Sequence, residues 1–261
     1  MNEVNKTLYI PLYGKAYTSK KGVIIHDKKA EDIWAQTTFP LTGKAKSKWL
    51  AYYMSMRAVV FDKWLQKKKT QFPEYTVLHL GCGLDSRIDR VGTSFAPWYD
   101  IDFPAVIEER TRYYTETQTY GMISADIRKD AFLQGLTKTS GVIVVMEGSS
   151  MYLTPDELTR LLINVQAHFS NVCMLMDCYT PFACKMSKIR NPVNEVGINT
   201  VYGIPSPTLL EETTGLTFVK EHEITPAHLI NELHGLERWI FKSVYAGSLS
   251  KKLYKLYEYK R

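Results

Sequence analysis

The stretch Val77-Leu78-His79-Leu80-Gly81-Cys82-Gly83-Leu84-Asp85-Ser86 decides the reading of the chain. A short apolar run passes directly into two glycines one residue apart, the pattern of a buried β-strand ending in a turn of bare backbone. Without β-carbons such a turn lets a ligand approach the main chain. Open α/β sheets bind their ligands at this edge, beyond the carboxyl ends of the strands. The full dinucleotide fingerprint requires a third Gly or Ala where this chain has Ser86. The turn therefore suits a nucleotide-like ligand without demanding a pyrophosphate.

Working outward, apolar runs at 98–101, 121–124, 142–146 and 172–176 predict further strands. Helix-like stretches at 104–117 and 155–168 lie between them. The second has a clear start, with Thr154 as cap, Pro155 at the first helical position and Glu157 three residues on. Continuous β-rich runs separated by helices indicate a parallel sheet covered on both faces. Upstream, 31–36 and 47–69 carry apolar residues at helical spacing, among them Trp49, Tyr52, Tyr53, Met56, Val59, Val60 and Trp64. These predict a helical N-terminal lobe over 1–70, leaving 71–261 for the sheet domain. Pro181, Pro192, Pro205 and Pro207 mark an insertion at about 179–208. A strand at 218–224, a helix at 226–244 and a last strand at 253–259 complete the reading.

Composition narrows the function. With 261 residues, the chain fits one large domain carrying a lobe, at about 150 residues per domain. Lys plus Arg exceeds Asp plus Glu by 33 − 27 = 6. That excess is spread along the chain, so no nucleic-acid partner is expected. Its densest runs, 67–69 and the tail with Lys251, Lys252 and Arg261, read as solvated surface. Four cysteines, Cys82, Cys173, Cys178 and Cys184, are spaced for neither a disulfide framework nor a zinc site. No apolar run approaches the ~20 residues of a membrane span. The apolar patch at 8–12 is short and broken by Pro11, unlike a signal peptide. The expectation is a cytoplasmic protein with no membrane partner.

Carboxylates recur at the strand ends. Asp100 and Asp102 end the second run, about 20 residues beyond the first glycine, where an acid can accept both hydroxyl protons of a ribose. The spacing suits NAD and S-adenosylmethionine alike. Asp102 also precedes Phe103-Pro104, a helix-start context in which it can act as a cap. Asp126 follows the third run beside Ile127 and can accept from an exocyclic amine such as that of adenine. Glu147 follows the fourth and can face a cation.

With "LGCGLDSRIDRV", "YDIDFPAVIEE", "SADIRKDAF" and "MEGSSMYLTPDEL" in this order, preceded by "TLYIPLYGKA" and "MRAVVFDKWL", the chain resembles the leucine carboxyl methyltransferase and tetracenomycin-type O-methyltransferase family of class I S-adenosylmethionine-dependent enzymes. The resemblance covers residues 7 to about 160. It implies a Rossmann-like, mostly parallel seven-stranded α/β methyltransferase sheet with helices on both faces. It further implies that Gly81 and Gly83 line the cofactor, Asp102 holds its ribose, and Asp126 with Ile127 reads its adenine. Glu147 would lie near its methionine portion, whose carboxylate Arg57 and Lys15 would pair with. The expected cofactor is S-adenosylmethionine, with S-adenosylhomocysteine as product and no metal. Ser86 stands where the family has Thr, and nothing beyond residue 178 carries the resemblance.

The acceptor is accordingly read as a small-molecule hydroxyl or carboxyl group. Methylation of a protein C-terminal carboxylate and NAD-dependent hydride transfer are the alternatives. His228 and His234 are six apart, the wrong spacing for a metal pair on one helix face. His79, inside the first strand, reads as a core histidine. No catalytic residue is singled out among Tyr13, Tyr17, His26, Tyr202 and His222.

Overall fold

Alternate residues of the first strand serve two different cores. In the computed structural model, which describes residues 6–93, 96–187 and 200–261, Val77 of β1 (Thr76–Leu80) joins a cluster with Phe61, Trp64 and Leu65. Leu78 and Leu80 join another with Leu158, Leu161 and Leu162. The period of two sends successive side chains to opposite faces, so both faces of this sheet are buried under helices.

The sheet continues through β2 (Trp98–Asp102), β3 (Tyr120–Ser124), β4 (Val142–Met146), β5 (Val172–Tyr179), β6 (Thr217–Glu221) and β7 (Tyr254–Lys260). Its order is β3-β2-β1-β4-β5-β7-β6. Strands β1 to β5 run parallel, and β7 is antiparallel to both its neighbours. From β1 the chain leads to β2 on one side, while β4 lies on the other. A crevice opens at the carboxyl edge of such a switch point.

Before the sheet come α1 (Tyr9–Lys21), α2 (Lys28–Gln36) and α3 (Lys48–Gln71). The apolar patch at 8–12, broken by Pro11 in sequence, is helical from Tyr9 on. Pro11 in fact lies in the first turn of α1, where its missing N–H removes no helical hydrogen bond. Helix α1 is pinned to α3 by the buried Thr18 and Ser55 hydroxyls, 2.7 Å apart. Strand β1 leads into α4 (Arg87–Val91), β2 into α5 (Pro104–Arg110) and β4 into α6 (Pro155–His168). Helix α6 has the expected capping box between Thr154 and Glu157.

Other expectations need correcting. The helix expected over 104–117 stops at Arg110, whose guanidinium turns inward onto Asp100 and packs 4.0 Å from the centre of the Tyr114 ring. Burying that charge with its partners prevails over continued helix through Thr111, Arg112 and Tyr113. Around the expected insertion stand α7 (Pro181–Ser187), a bridge from Tyr179 to Gly203 and α8 (Thr208–Thr214), while 188–199 lie outside the described residues. The helix expected over 226–244 is split into α9 (Ala227–Ile230) and α10 (Gly235–Ile240), followed by a π turn at Phe241–Tyr245. Lys68 and Lys69 are half-buried rather than freely solvated. Lys68 pairs with buried Glu258 at 2.9 Å, and Lys69 donates to the Gly92 carbonyl beside the Trp98 ring. No described helix is long and apolar enough to cross a membrane.

Candidate active site

The crevice at the switch point holds a cavity of about 290 Å³. All eight residues singled out from the sequence line it: Lys15, Arg57, Gly81, Gly83, Asp102, Asp126, Ile127 and Glu147. They come from α1, α3 and the carboxyl ends of β1 to β4.

The turn after β1 uses its glycines as backbone. Gly81 and Gly83 have φ of 70° and 53°, the left-handed region that side chains disfavour. A Cβ on Gly81 would lie 2.5 Å from that of Ser149, so the loops after β1 and β4 are in contact here. Asp102 ties the turn to β2. Its Oδ2 accepts from the Gly83 N–H at 2.8 Å and its Oδ1 from the Phe103 N–H at 2.7 Å. Burial pushes its carboxyl pKa up, against the pull of those two N–H donors.

Asp100 is used differently. It is fully buried and bonded to Arg110, the Tyr120 hydroxyl at 2.7 Å, the Trp98 indole at 2.8 Å and His79 Nδ1 at 3.1 Å. Of the two acids ending β2, only Asp102 reaches the cavity. His79 is the partnered core histidine expected, with one edge on the cavity.

The floor is a chain of buried ion pairs. Arg57 Nε donates to Glu147 at 3.0 Å, its Nη1 donates to the Tyr254 hydroxyl at 2.8 Å, and the same nitrogen lies 2.8 Å from Asp177. Arg87 takes the other Glu147 oxygen and also meets Asp62 and Asp85. Lys15 lies 3.0 Å from Asp85. Burial opposes ionisation of Glu147, yet Arg87 and Arg57 outweigh it and hold its pKa at about 2. Burial likewise opposes ionisation of Asp85, and Lys15, Arg87 and Arg90 hold it well below the usual carboxylate range. Asp177 goes the other way: burial raises its pKa despite Arg57. Asp126 pairs with Arg128 at 2.7 Å on the more exposed side, which lowers its pKa.

Leu8, Ile10, Met54, Met151, Tyr152, Tyr179 and Tyr254 belong to its apolar and aromatic wall. Tyr13, Tyr17, His26 and Tyr202 are not on it. His222 lines a second cavity of about 230 Å³ with Tyr53 and Tyr254, its Nε2 2.6 Å from Glu258. Sequence reasoning missed Arg87, Asp85, Asp177 and Tyr254. Asp85 stands within the quoted glycine-turn stretch and Arg87 directly after it, and an acid and a base beside a ligand turn were the available signal.

Strand order and strand-edge cavity together define a methyltransferase fold. The chain superimposes on a putative methyltransferase from Thermobifida fusca YX with a TM-score of 0.58, over 95% of this chain and 94% of that one, at 11% identity. It belongs to the leucine carboxyl methyltransferase family, whose model matches residues 11–166. It is 26% identical to the tetracenomycin polyketide synthesis O-methyltransferase TcmP of Streptomyces glaucescens over 240 residues, 91% of this chain and 89% of that protein. It is also 27% identical to the S-adenosyl-L-methionine-dependent methyltransferase dpfgK of Gibberella zeae, over 63% of this chain and 61% of that protein. The protein is thus a methyltransferase of an S-adenosylmethionine-dependent family, and hydride transfer to a nicotinamide is set aside.

Proposed function

We propose that the enzyme binds S-adenosylmethionine in the strand-edge cavity and transfers its methyl group to a hydroxyl or carboxyl oxygen of a small molecule. The observation that carries this reading is the convergence of Lys15, Arg57, Asp102, Asp126 and Glu147 on one cavity with an apolar, aromatic wall. The name of the Streptomyces glaucescens relative supports O-methylation.

The donor set fits the cofactor. Each Asp102 oxygen accepts one backbone hydrogen bond and keeps a lone pair for a ribose hydroxyl. Arg57 spends Nε and Nη1 on Glu147, Tyr254 and Asp177, while its Nη2 hydrogen-bonds nothing among the described residues. That nitrogen remains to donate to a carboxylate, with Lys15 as the second cation. Asp126 and Ile127 would take the adenine edge and face.

When bound, the cofactor supplies a methyl group on a sulfonium, whose neutral thioether leaving group needs no protonation. The chain's own contribution is alignment and exclusion of water, for which Leu8, Ile10, Met54 and Met151 supply the apolar cover. A carboxylate acceptor needs no base, whereas a hydroxyl needs one. Calorimetry tests the donor: S-adenosylmethionine and S-adenosylhomocysteine bind and NAD does not. The acceptor type is read by transferring a labelled methyl group, because a methyl ester loses it as methanol in mild base and an ether keeps it. Label that appears only on a protein C-terminus overturns the small-molecule reading.

A further inference from the structure

Helix α10 and its π turn present one edge to the protein and a broad face to solvent. The inner edge is Glu237, Phe241 and Tyr245, four residues apart. Phe241 is fully buried, and Tyr245 stacks on Trp49 with ring centres 5.6 Å apart. Glu237 is held by Lys21 at 2.6 Å, Lys48 at 2.8 Å and the Tyr52 hydroxyl at 2.8 Å. The outer face carries Leu236, Trp239 and Val244, respectively 69%, 66% and 60% exposed. Beside them stand Arg238 and Lys242, both exposed and neither in an ion pair among the described residues.

Isolated apolar side chains on a surface need no explanation, but three so exposed on one short segment do. Nothing in the fold requires Trp239 to face water. Glu237 is the only acid of residues 235–245 and is turned inward, so the outer face is apolar and purely cationic. The neighbouring Lys21 and Lys48 share that single carboxylate, which adds to the local positive excess. We propose that this face rests on an anionic lipid surface, with Leu236, Trp239 and Val244 entering the headgroup boundary and Arg238 and Lys242 meeting lipid phosphates. The combination of Trp and Leu with flanking basic residues on a short amphipathic segment is the chemistry of interfacial helices. A second copy of the chain fits less well. A twofold contact would gather Arg238 and Lys242 of both copies into one interface with no outward acid of this segment to balance them.

The test is co-sedimentation of the full chain with vesicles of phosphatidylcholine alone and of phosphatidylcholine containing about one-third phosphatidylglycerol. Partition is expected to rise about tenfold or more on the anionic vesicles, given two basic residues at the surface, and to fall with added salt. Leu236→Ser with Trp239→Ser abolishes it, and Arg238→Glu with Lys242→Glu removes the preference for anionic lipid. S-adenosylhomocysteine affinity and thermal melting stay unchanged in both variants, which shows that they fold. Failure of the parent chain to bind anionic vesicles overturns the proposal, as does undiminished binding by the serine variant. A doubled mass in solution that Trp239→Ser abolishes also overturns it and assigns the face to self-association.

Discussion

Arg57 and Glu147 meet across the floor of the cavity, Nε to Oε1 at 3.0 Å, with side chains only 4% and 3% exposed. The arginine comes from a helix before the sheet and the glutamate from the end of β4, so one ion pair joins the N-terminal helices to the centre of the fold. Lys at position 57 keeps the charge but not the planar fork that reaches Glu147, Tyr254 and Asp177 together. Arg57→Lys is expected to weaken S-adenosylhomocysteine binding by tenfold or more and to lower the melting temperature. Calorimetry and thermal melting of the same preparation read both effects, and an unchanged affinity would remove Arg57 from the ligand site.

Asp102 and Asp100 make an internally controlled pair. Asp102→Ala is expected to cost roughly 2–4 kcal/mol of cofactor affinity, the scale of charged hydrogen bonds lost with their partners left unpaired. It also leaves the Gly83 and Phe103 N–H groups without their acceptor, so a smaller loss of stability accompanies it. Asp100→Asn takes the charge from beneath buried Arg110, and its loss of about 3–5 kcal/mol falls on stability. Denaturant unfolding beside ligand titration separates the two. Equal cofactor affinity in folded Asp102→Ala would leave that residue as a helix cap.

Acid sensitivity follows from the depressed carboxylates. Glu147 and Glu258 have folded pKa values of about 2, against 4.5 for the free side chain. A lowered folded value means the unfolded chain binds more protons as the pH drops, so their contribution is complete above about pH 4.5 and is lost progressively towards pH 2. The melting temperature is expected to fall across that window. Gln at position 147 should flatten the dependence, and a parent protein with constant melting temperature between pH 5 and about 2.5 would contradict the assignment.

Asp102 shifts in the opposite direction, its carboxyl raised by burial. Ribose hydroxyls are accepted best by the ionised form, so S-adenosylhomocysteine affinity should begin to fall on acidification at a higher pH than an ordinary aspartate would give. Asp102→Asn has no carboxyl to protonate and is expected to lose that pH dependence along with most of the affinity. Titrations at successive pH values of the two proteins check this.

The N-terminal helices carry Leu8, Lys15 and Arg57 to the cavity, and as a lid they should respond to its ligand. Hydrogen exchange of residues 6–30 is expected to slow when S-adenosylhomocysteine is added, with little change in β3 and β6. Uniform exchange with and without ligand would make these helices a fixed cap.

Much of the architecture was legible because it rests on local signals. The run 142–146 is short and rich in β-branched Val and Ile, which favours a strand, and Thr154-Pro155 with Glu157 fixes a helix start to the residue. The eight cavity residues were legible through motif order. The ion-pair floor was not, since Arg87 meets Glu147 sixty residues away and Arg57 meets Tyr254 at a separation of 197. Such pairs leave no periodicity to read. The same physics misled the reading of Lys68, whose charge run looked solvated until β7 brought Glu258 beneath it. The helix expected over 226–244 is broken where His234 is extended and Gly235 takes a φ of 51°, a backbone turn that the apolar spacing of Leu229, Ile230 and Leu233 does not reveal.

The contact between the turn after β1 and the loop after β4 has a thermodynamic consequence. Ser149 Oγ donates to the Leu80 carbonyl at 3.0 Å and its Cβ occupies the space Gly81 leaves free, so the cavity exists only when the two central strands are already paired. A chain in which these strands have separated has no such cavity for a ligand to occupy. Occupancy is therefore linked to the unfolding of the whole domain, and at a hundredfold excess over Kd a ligand adds about 2.7 kcal/mol to it. For a chain of this size that raises the melting temperature by roughly 5–10 °C. The protein thus reports on its own ligands, and candidate acceptors can be ranked by heat alone before any product has been identified.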